Sequence, residues 1–247
     1  MKSAIYLLKH SLTGIGRAPY PQCRKMSPDY DKNAPDSVYK LNQIKFPNLK
    51  PNFNYLEVID GATLTDLISC VPLNPSVLVV SNKLLKIFLG LKLPPYQIHS
   101  VILKQRGKKI GGYNAFQVIE QKEHLKQIDF KKSKFWLIEV ISKKKLKQLN
   151  LNSAKEVMRA DKESLNTKEV TQVWAEILAI KSGLYKDLDL FFSPTVVNPI
   201  GFYVNDKAKQ ALVENKCTGI DFTSVSHDKD SLVSYFGDRN ITYIQLA

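Results

Sequence analysis

The hydrophobic and polar positions between residues 201 and 225 predict a strand, a capped helix, a turn and a second strand. Residues 202–204 are aromatic and β-branched, a composition that favours a strand. Asn205 or Asp206 then offers a side-chain oxygen to the unpaired N–H groups that open a helix. The apolar stripe of that helix consists of Ala208, Ala211 and Leu212.

The turn of this unit contains Gly219, which we predict at positive φ because glycine adopts that conformation without steric cost. Phe222 follows in the second strand and is predicted to be buried. A substitution of Gly219 by alanine should therefore strain the turn.

The same order of signals occurs earlier in the chain. Residues 78–103 contain a short apolar strand, a cap at Ser81 or Asn82, a helix and a returning strand. Residues 80–83 match residues 204–207 position for position in residue type. We therefore predict two related strand–helix–strand units, without the longer periodic series of a solenoid.

Three short stretches resemble a bacterial family first catalogued as a domain of unknown function and later assigned as immunity proteins of polymorphic toxin systems. They are FYVNDKAKQAL at 202–212, CTGIDF at 217–222 and IDFKKSKF at 128–135. The resemblance covers roughly residues 75–225. It implies a non-enzymatic, cytoplasmic protein that binds and neutralises a cognate toxin. It implies no catalytic residue, and it assigns no toxin-contacting position.

The remaining pattern predicts an α+β fold with a mixed, mainly antiparallel sheet and a few short helices. Strands are predicted at 4–8, 54–59, 97–104, 113–120, 125–130 and 135–142, and helices at 64–68, 153–160 and 170–181. The last helix has the most pronounced apolar stripe, which places Trp174, Ile177 and Leu178 in the core. No composition break marks a boundary, so we predict a single domain over residues 1–247, with a weak subdivision near residue 150 as the alternative.

Residues 13–51 are rich in proline and carry no periodic pattern. Such a long irregular stretch is either a packed functional loop or a partly mobile one. Its aromatic residues favour packing onto another part of the protein. These residues are Tyr20, Tyr30, Tyr39 and Phe46.

Charge is the strongest local bias in the sequence. The chain has 36 Lys and Arg against 23 Asp and Glu, a net charge of +13, and residues 104–147 carry thirteen basic against four acidic residues. The candidate partner-binding residues are Lys108, Lys109, Lys143, Lys144, Lys145 and Lys147. They form either a solvated lysine-rich face that protects sheet edges, a surface for an acidic protein, or a surface for nucleic acid. Nucleic acid is the least favoured, because arginine, the preferred base reader, is scarce and no nucleic-acid-binding motif occurs.

The sequence contains no specific catalytic or metal-binding pattern. Residues 226–228 are Ser-His-Asp, but adjacent residues do not assemble a triad. The four histidines lack metal-ligand spacing. The glycines at 14–16 and 107–112 lack the full patterns of dinucleotide and phosphate loops, so the second group predicts a hairpin turn. We predict no catalytic residue, no metal and no cofactor.

Cys23, Cys70 and Cys217 are odd in number and far apart, which favours free, mostly buried thiols in a reducing cytosol. No stretch approaches the roughly 20 apolar residues of a membrane span. The leading hypothesis is therefore a cytoplasmic immunity protein whose cognate toxin is acidic on its contact face. The alternative is a basic nucleic-acid-binding accessory protein, and a third option is an enzyme with an unrecognised site.

Overall fold

The protein is described by a computed structural model, in which β-strands predominate. The described residues are 4–17, 20–41, 46–54, 56–118, 128–142, 144–164, 171–180, 187–192, 201–225, 233–234 and 241–246. The elements in chain order are β1 (Ile5–His10), β2 (Cys23–Met26), β3 (Leu56–Val58), β4 (Leu67–Ile68), β5 (Val77–Ser81), α1 (Asn82–Leu89), β6 (Tyr96–Gln105), β7 (Lys108–Val118), β8 (Lys134–Glu139), β9 (Lys145–Leu149), α2 (Ala154–Ser164), β10 (Thr171–Ile180), β11 (Leu190–Phe192), β12 (Phe202–Asn205), α3 (Asp206–Glu214), β13 (Ile220–Val225), β14 (Val233–Ser234) and β15 (Ile241–Leu246).

These strands form three sheets. Their strand orders are β11-β12-β1-β13, β14-β15-β10-β8-β9 and β2-β3-β6-β7-β5-β4. Most neighbouring strands are antiparallel, whereas β3 with β6 and β10 with β15 are parallel. The predicted α+β class is confirmed, with three sheets in place of one. The subdivision near residue 150 stays a prediction, although β1 pairs with strands from the far side of that point.

The two predicted strand–helix–strand units are present and have the same topology. In the first, β5 leads through α1 to β6, and β7 lies between the two strands. In the second, β12 leads through α3 to β13, and β1 lies between them. In both units the outer strands of the crossover are antiparallel to the strand between them. The helices pack against one shared apolar cluster, which includes Leu84, Phe88, Ala208 and Leu212.

Both helices begin with the predicted side-chain cap. The Leu84 N–H donates to Ser81 Oγ at 3.1 Å, and the Ala208 N–H donates to Asn205 Oδ1 at 2.9 Å. A cap of this kind satisfies one of the N–H groups that the first helical turn leaves unpaired. The cap residue therefore fixes where the strand ends and the helix starts in each unit.

Ahead of each unit in the chain, one aspartate binds the cap residue of that unit, the lysine two positions after the cap, and a backbone N–H of the other unit. Asp66 accepts from Ser81 Oγ at 2.6 Å, from Lys83 Nζ at 3.3 Å and from the Thr218 N–H at 2.9 Å. Asp189 accepts from three equivalent donors. They are Asn205 Nδ2 at 2.9 Å, Lys207 Nζ at 2.7 Å and the Lys92 N–H at 2.9 Å. Because Thr218 follows α3 and Lys92 follows α1, the two contacts across the units are reciprocal.

The predicted helix at 170–181 is wrong, because residues 171–180 form β10. Three consecutive side chains of this strand are buried, with Val173 and Ala175 facing one apolar cluster and Trp174 only 5% exposed. A strand buried on both faces has no polar alternation, so its apolar residues also fit a helical period. The predicted burial of Trp174 is confirmed.

Other local predictions also need correction. The helix predicted at 64–68 is wrong: residues 64–66 have no regular structure, and Leu67 and Ile68 form β4 and pair with β5. The strand predicted at 125–130 lies partly outside the described residues, and its last residue, Phe130, is in a turn. Phe222 is half-buried, whereas we predicted a buried side chain. The helix after residue 153 is confirmed as α2, and Ser153 Oγ accepts from the Glu156 N–H at 3.2 Å.

The described part of the proline-rich stretch is packed onto the six-stranded sheet. It contributes β2, which pairs with β3, and a 3-10 turn at Val38–Lys40. Val38 and Leu41 are buried in the apolar cluster of this sheet, and Tyr30 packs against it. Tyr39 remains about half exposed. Within the described residues, no helix has both the length and the apolar character that crossing a lipid bilayer requires.

Candidate partner-binding surface

Three of the six candidate lysines lie on the hairpin formed by β8 and β9. β9 is the outer strand of the described five-stranded sheet and pairs only with β8 there. The strand predicted at 135–142 ends earlier, at Glu139, and the lysines that we placed after it begin a strand of their own. Lys143 lies outside the described residues. The hairpin therefore presents Lys144, Lys145 and Lys147 at a sheet edge.

Lys145 is fixed in position by two side chains of neighbouring strands. Its Nζ forms an ion pair with Glu176 Oε1 and lies 5.0 Å from the centre of the Trp136 ring. Trp136 in turn donates from Nε1 to Glu176 Oε2 at 2.8 Å. Glu176 is the extra residue at a bulge in β10, between the residues that pair with Phe135 and Lys134. A bulge redirects the side chain at that point, which explains how one carboxylate binds both partners.

The environment of Glu176 favours its ionised form. Burial by itself would raise the pKa of this carboxyl group. Hydrogen bonds from Lys145 and Trp136 and the positive charges of Lys145 and Lys134 lower the pKa by more than burial raises it. The net pKa of Glu176 therefore lies below its usual value. Because the carboxylate stays charged at neutral pH, Lys145 is neutralised within the protein.

The other described lysines of this hairpin are exposed and without an ion pair among the described residues. Lys144 and Lys147 are both exposed. Two apolar side chains accompany them, since Ile141 is 84% exposed and Leu146 40% exposed. Between the two strands, Ser142 Oγ donates to Glu139 and accepts from the Lys144 N–H at 3.2 Å. We call Ile141, Lys144, Leu146 and Lys147 the hairpin surface.

Lys108 and Lys109 lie on a second hairpin, between β6 and β7. Its turn is shorter than predicted: Arg106 and Gly107 form a two-residue connection with φ values of 52° and 74°. Positive φ at both positions is the type I′ geometry that matches the twist of the strands. The two lysines are exposed and carry no ion pair among the described residues.

Acidic side chains bind the other cations near this second turn. Lys104, which pairs with Lys109 across the strands, binds Asp29 at 2.8 Å. Arg106 lies 3.5 Å from Asp60. This hairpin belongs to the six-stranded sheet and the first one to the five-stranded sheet. The structure therefore divides the predicted lysine set between two separate elements.

Sequence reasoning missed Trp136 and Glu176 as partners of Lys145. The alternation of apolar residues around Trp136 predicted a strand, but Glu176 fell within the segment that we interpreted as a helix. Recognising β10 as a strand would have placed Glu176 beside β8. The Glu176 bulge itself has no local sequence signal.

The other candidate chemistry remains unsupported. Residues 226–228 lie outside the described residues. Among the residues that the structure describes, no group of three or more His, Cys, Asp or Glu side chains could hold a metal ion. His10 is half-buried, and its burial lowers the pKa to about 4 despite a hydrogen bond with the Ile68 backbone. It is therefore neutral at physiological pH.

No family model matches the sequence, and no curated protein matches it either.

Proposed function

We propose that this chain is an immunity protein that neutralises a cognate bacterial toxin by stoichiometric binding and acts without catalysis. The proposal rests on the resemblance of residues 202–212, 217–222 and 128–135 to that family and on the hairpin surface. The first two stretches form β12, α3 and the turn into β13, so they belong to the structural frame. Binding is assigned to a different element, as expected where toxin-contacting positions vary.

The observation that carries this assignment is the mixture of side chains on the hairpin surface. Ile141 and Leu146 expose apolar area in the same hairpin as Lys144 and Lys147, which have no ion pair among the described residues. Apolar contacts surrounded by charges are the usual composition of a protein–protein interface. At the turn of the second hairpin, the exposed residues 106–109 are two lysines, one arginine and a glycine, so no apolar side chain accompanies Lys108 and Lys109 there.

The partner inferred from this surface is a protein with carboxylates on its contact face. Lys144 and Lys147 would lie at the rim of the interface, where charges mainly accelerate encounter and set its salt dependence. The net charge of +13 acts in the same direction at longer range. Toxins that cut nucleic acid commonly carry a basic substrate groove, so we expect the contact to lie elsewhere on such a toxin. Both proteins would meet in the cytoplasm.

Nucleic acid is the second candidate partner, because Trp136 and Lys145 have the residue types of a base-stacking platform. The contacts of these two residues argue against it. Lys145 already covers the Trp136 ring, and the Glu176 carboxylate beside them would repel phosphates. Double-stranded DNA should therefore bind weakly and without sequence preference.

The test compares two charge reversals in binding to the polypeptide encoded by the gene adjacent to that of this chain. We expect Lys144→Glu with Lys147→Glu to slow association by about tenfold and to reduce its salt dependence. Lys108→Glu with Lys109→Glu is the matched control, since it changes the net charge by the same amount at exposed positions of the six-stranded sheet. Stopped-flow or biosensor kinetics at several salt concentrations would measure both effects.

Three results would contradict the proposal. The neighbouring polypeptide could fail to bind, or fail to be neutralised in a growth assay when this chain is co-expressed. The two charge reversals could also have equal effects, which would remove the hairpin surface from the interface. Tight binding to double-stranded DNA with a steep salt dependence would favour the accessory-protein alternative instead.

A further inference from the structure

The six-stranded sheet is drawn together along a seam between its two outer strands, β2 and β4. Gln22 and Ser69, which flank these strands, are joined by three hydrogen bonds. The Gln22 N–H donates to Ser69 Oγ at 2.8 Å, and Ser69 donates from its N–H and its Oγ to Gln22 Oε1 at 3.0 and 3.2 Å. Both residues are about 1% exposed, so water does not compete for these bonds. The hydrogen bonds of this seam therefore belong to the buried core.

Cys23 and Cys70 are direct neighbours in this seam. They are the paired residues of a parallel β-bridge, in which the Cys23 N–H donates to the Ser69 carbonyl at 2.9 Å and the Val71 N–H to the Cys23 carbonyl at 3.0 Å. Paired strands lie about 4.8 Å apart. Disulfides need Cα atoms about 4.4–6.8 Å apart, so the backbone already holds the two residues at bonding distance.

We propose that Cys23 and Cys70 are a reversible redox site that closes this seam with a disulfide under oxidising conditions. Both thiols are free in the structure. Cys23 is completely buried, whereas Cys70 is half-buried. Cys70 is therefore the thiol that an oxidant would reach first. Sequence spacing alone gave no sign of this pair, because 46 residues separate the two cysteines.

The oxidant that we assign is a low-molecular-weight disulfide such as glutathione disulfide. The Cys70 thiolate attacks one sulfur of it, the glutathione S–S bond breaks, and one glutathione leaves. The Cys23 thiolate then attacks the Cys70 sulfur of the mixed disulfide and releases the second glutathione. The two protein thiols are oxidised, one glutathione disulfide is reduced to two thiols, and these take up the two protons.

The chemistry of the pair makes this exchange slow at neutral pH. The neighbouring Cys23 thiol, together with burial, raises the pKa of Cys70 well above its usual value. Only the thiolate attacks a disulfide, so oxidation should accelerate as the solution becomes alkaline. Slow formation suits a structural bond more than a catalytic one.

The expected consequence is a more stable sheet. The bond would close a loop that contains the part of the proline-rich stretch after Cys23, and such a cross-link restricts the unfolded chain. We expect the melting temperature of the oxidised protein to rise by roughly 5–10 °C. Reduction with dithiothreitol should reverse this rise completely.

The experiment uses the full chain carrying Cys217→Ser, which removes the third thiol without touching the seam. The protein is incubated with glutathione disulfide at about pH 8.5, free thiols are alkylated, and peptides are mapped by mass spectrometry without reduction. The expected result is a linked peptide pair containing Cys23 and Cys70 and the higher melting temperature. The double variant Cys70→Ser with Cys217→Ser is the control and should show neither change.

Two outcomes would overturn the proposal, and neither depends on the Cys70→Ser variant folding. Glutathione could remain attached to Cys70 with no link to Cys23, which would mean that the two sulfurs do not meet. Alternatively, the link could form and lower the melting temperature, which would show that the seam must distort to accommodate it.

Discussion

Gly219 lies so close to Leu67 that a Cβ atom at position 219 would stand 2.4 Å from the Leu67 carbonyl oxygen. The same Cβ would meet Thr65 Oγ1 at 2.5 Å, and the glycine has φ of 78°. This contact joins the turn after α3 to the start of β4. The predicted positive φ of Gly219 is confirmed, but the close approach to another segment had no sequence signal.

We expect Gly219→Ala to destabilise the protein by about 3 kcal/mol, because the strain of the backbone adds to a collision with fixed backbone atoms. Gly107→Ala is the matched control. Gly107 has a similar φ of 74°, but a Cβ atom at this position would have no neighbour within 4 Å, so only the conformational cost of about 1 kcal/mol should remain. Equal losses in urea unfolding would contradict the close approach.

Asp189→Asn should destabilise the protein by about 2 kcal/mol. Its side chain is only 6% exposed, and an asparagine offers one acceptor oxygen in place of two. The amide nitrogen would then face the Lys92 N–H or the Asn205 amide, both of which are donors. Asp187→Asn, two positions earlier at an exposed site, is the control and should leave the melting temperature unchanged.

The same aspartates should make stability depend on acidity. Burial by itself would raise the pKa of Asp66 and of Asp189, but their hydrogen bonds lower it more, and the net pKa of each lies below the ordinary value of 3.8. A carboxyl group with a lowered folded-state pKa stabilises the fold above its unfolded pKa, and this contribution is lost as the pH falls toward the folded value. The melting temperatures of the parent and Asp189→Asn should therefore differ most near about pH 6 and converge toward about pH 3. A constant difference across this range would contradict the charge assignment.

Trp174→Ala should cost about 3–5 kcal/mol, because the indole is almost completely buried within β10. The strand assignment changes its neighbours but not this expectation. Trp136→Ala is the comparison, since Trp136 is the direct cross-strand partner of Trp174 and is only half-buried. Denaturant unfolding should therefore rank Trp174→Ala as the more destabilising of the two.

The parts of the fold that the sequence predicted are those with local causes. Ser81 and Asn205 cap helices through bonds to residues three positions later, so both units could be recognised from short windows. The segment at Val173 and Trp174 could not, since a strand buried on both faces and a helix stripe share the same apolar positions. The sheet orders were also invisible, because they depend on contacts between distant segments.

The sequence predicted the candidate surface only as an excess of lysines within residues 104–147. Counting lysines identified a basic segment, but it could not distinguish Lys145, neutralised by Glu176, from the exposed Lys144 and Lys147. That distinction requires a partner 31 positions away in the chain. The apolar component of the surface, Ile141 and Leu146, was likewise hidden until the strand ended at Glu139.

The position of β1 between β12 and β13 has a consequence for how the chain is made. β7, its counterpart in the first unit, follows β6 after a two-residue turn and can pair at once. The pairing of β1 is delayed during synthesis, since Tyr6 lies 200 positions before its hydrogen-bond partner Asp206. At a synthesis rate of about 5–20 residues per second, an apolar strand leaves the ribosome roughly 10–40 s before its neighbours exist. The nascent chain therefore exposes an unpaired apolar segment through most of its translation. A chaperone that binds residues 5–10 would protect this segment from aggregation.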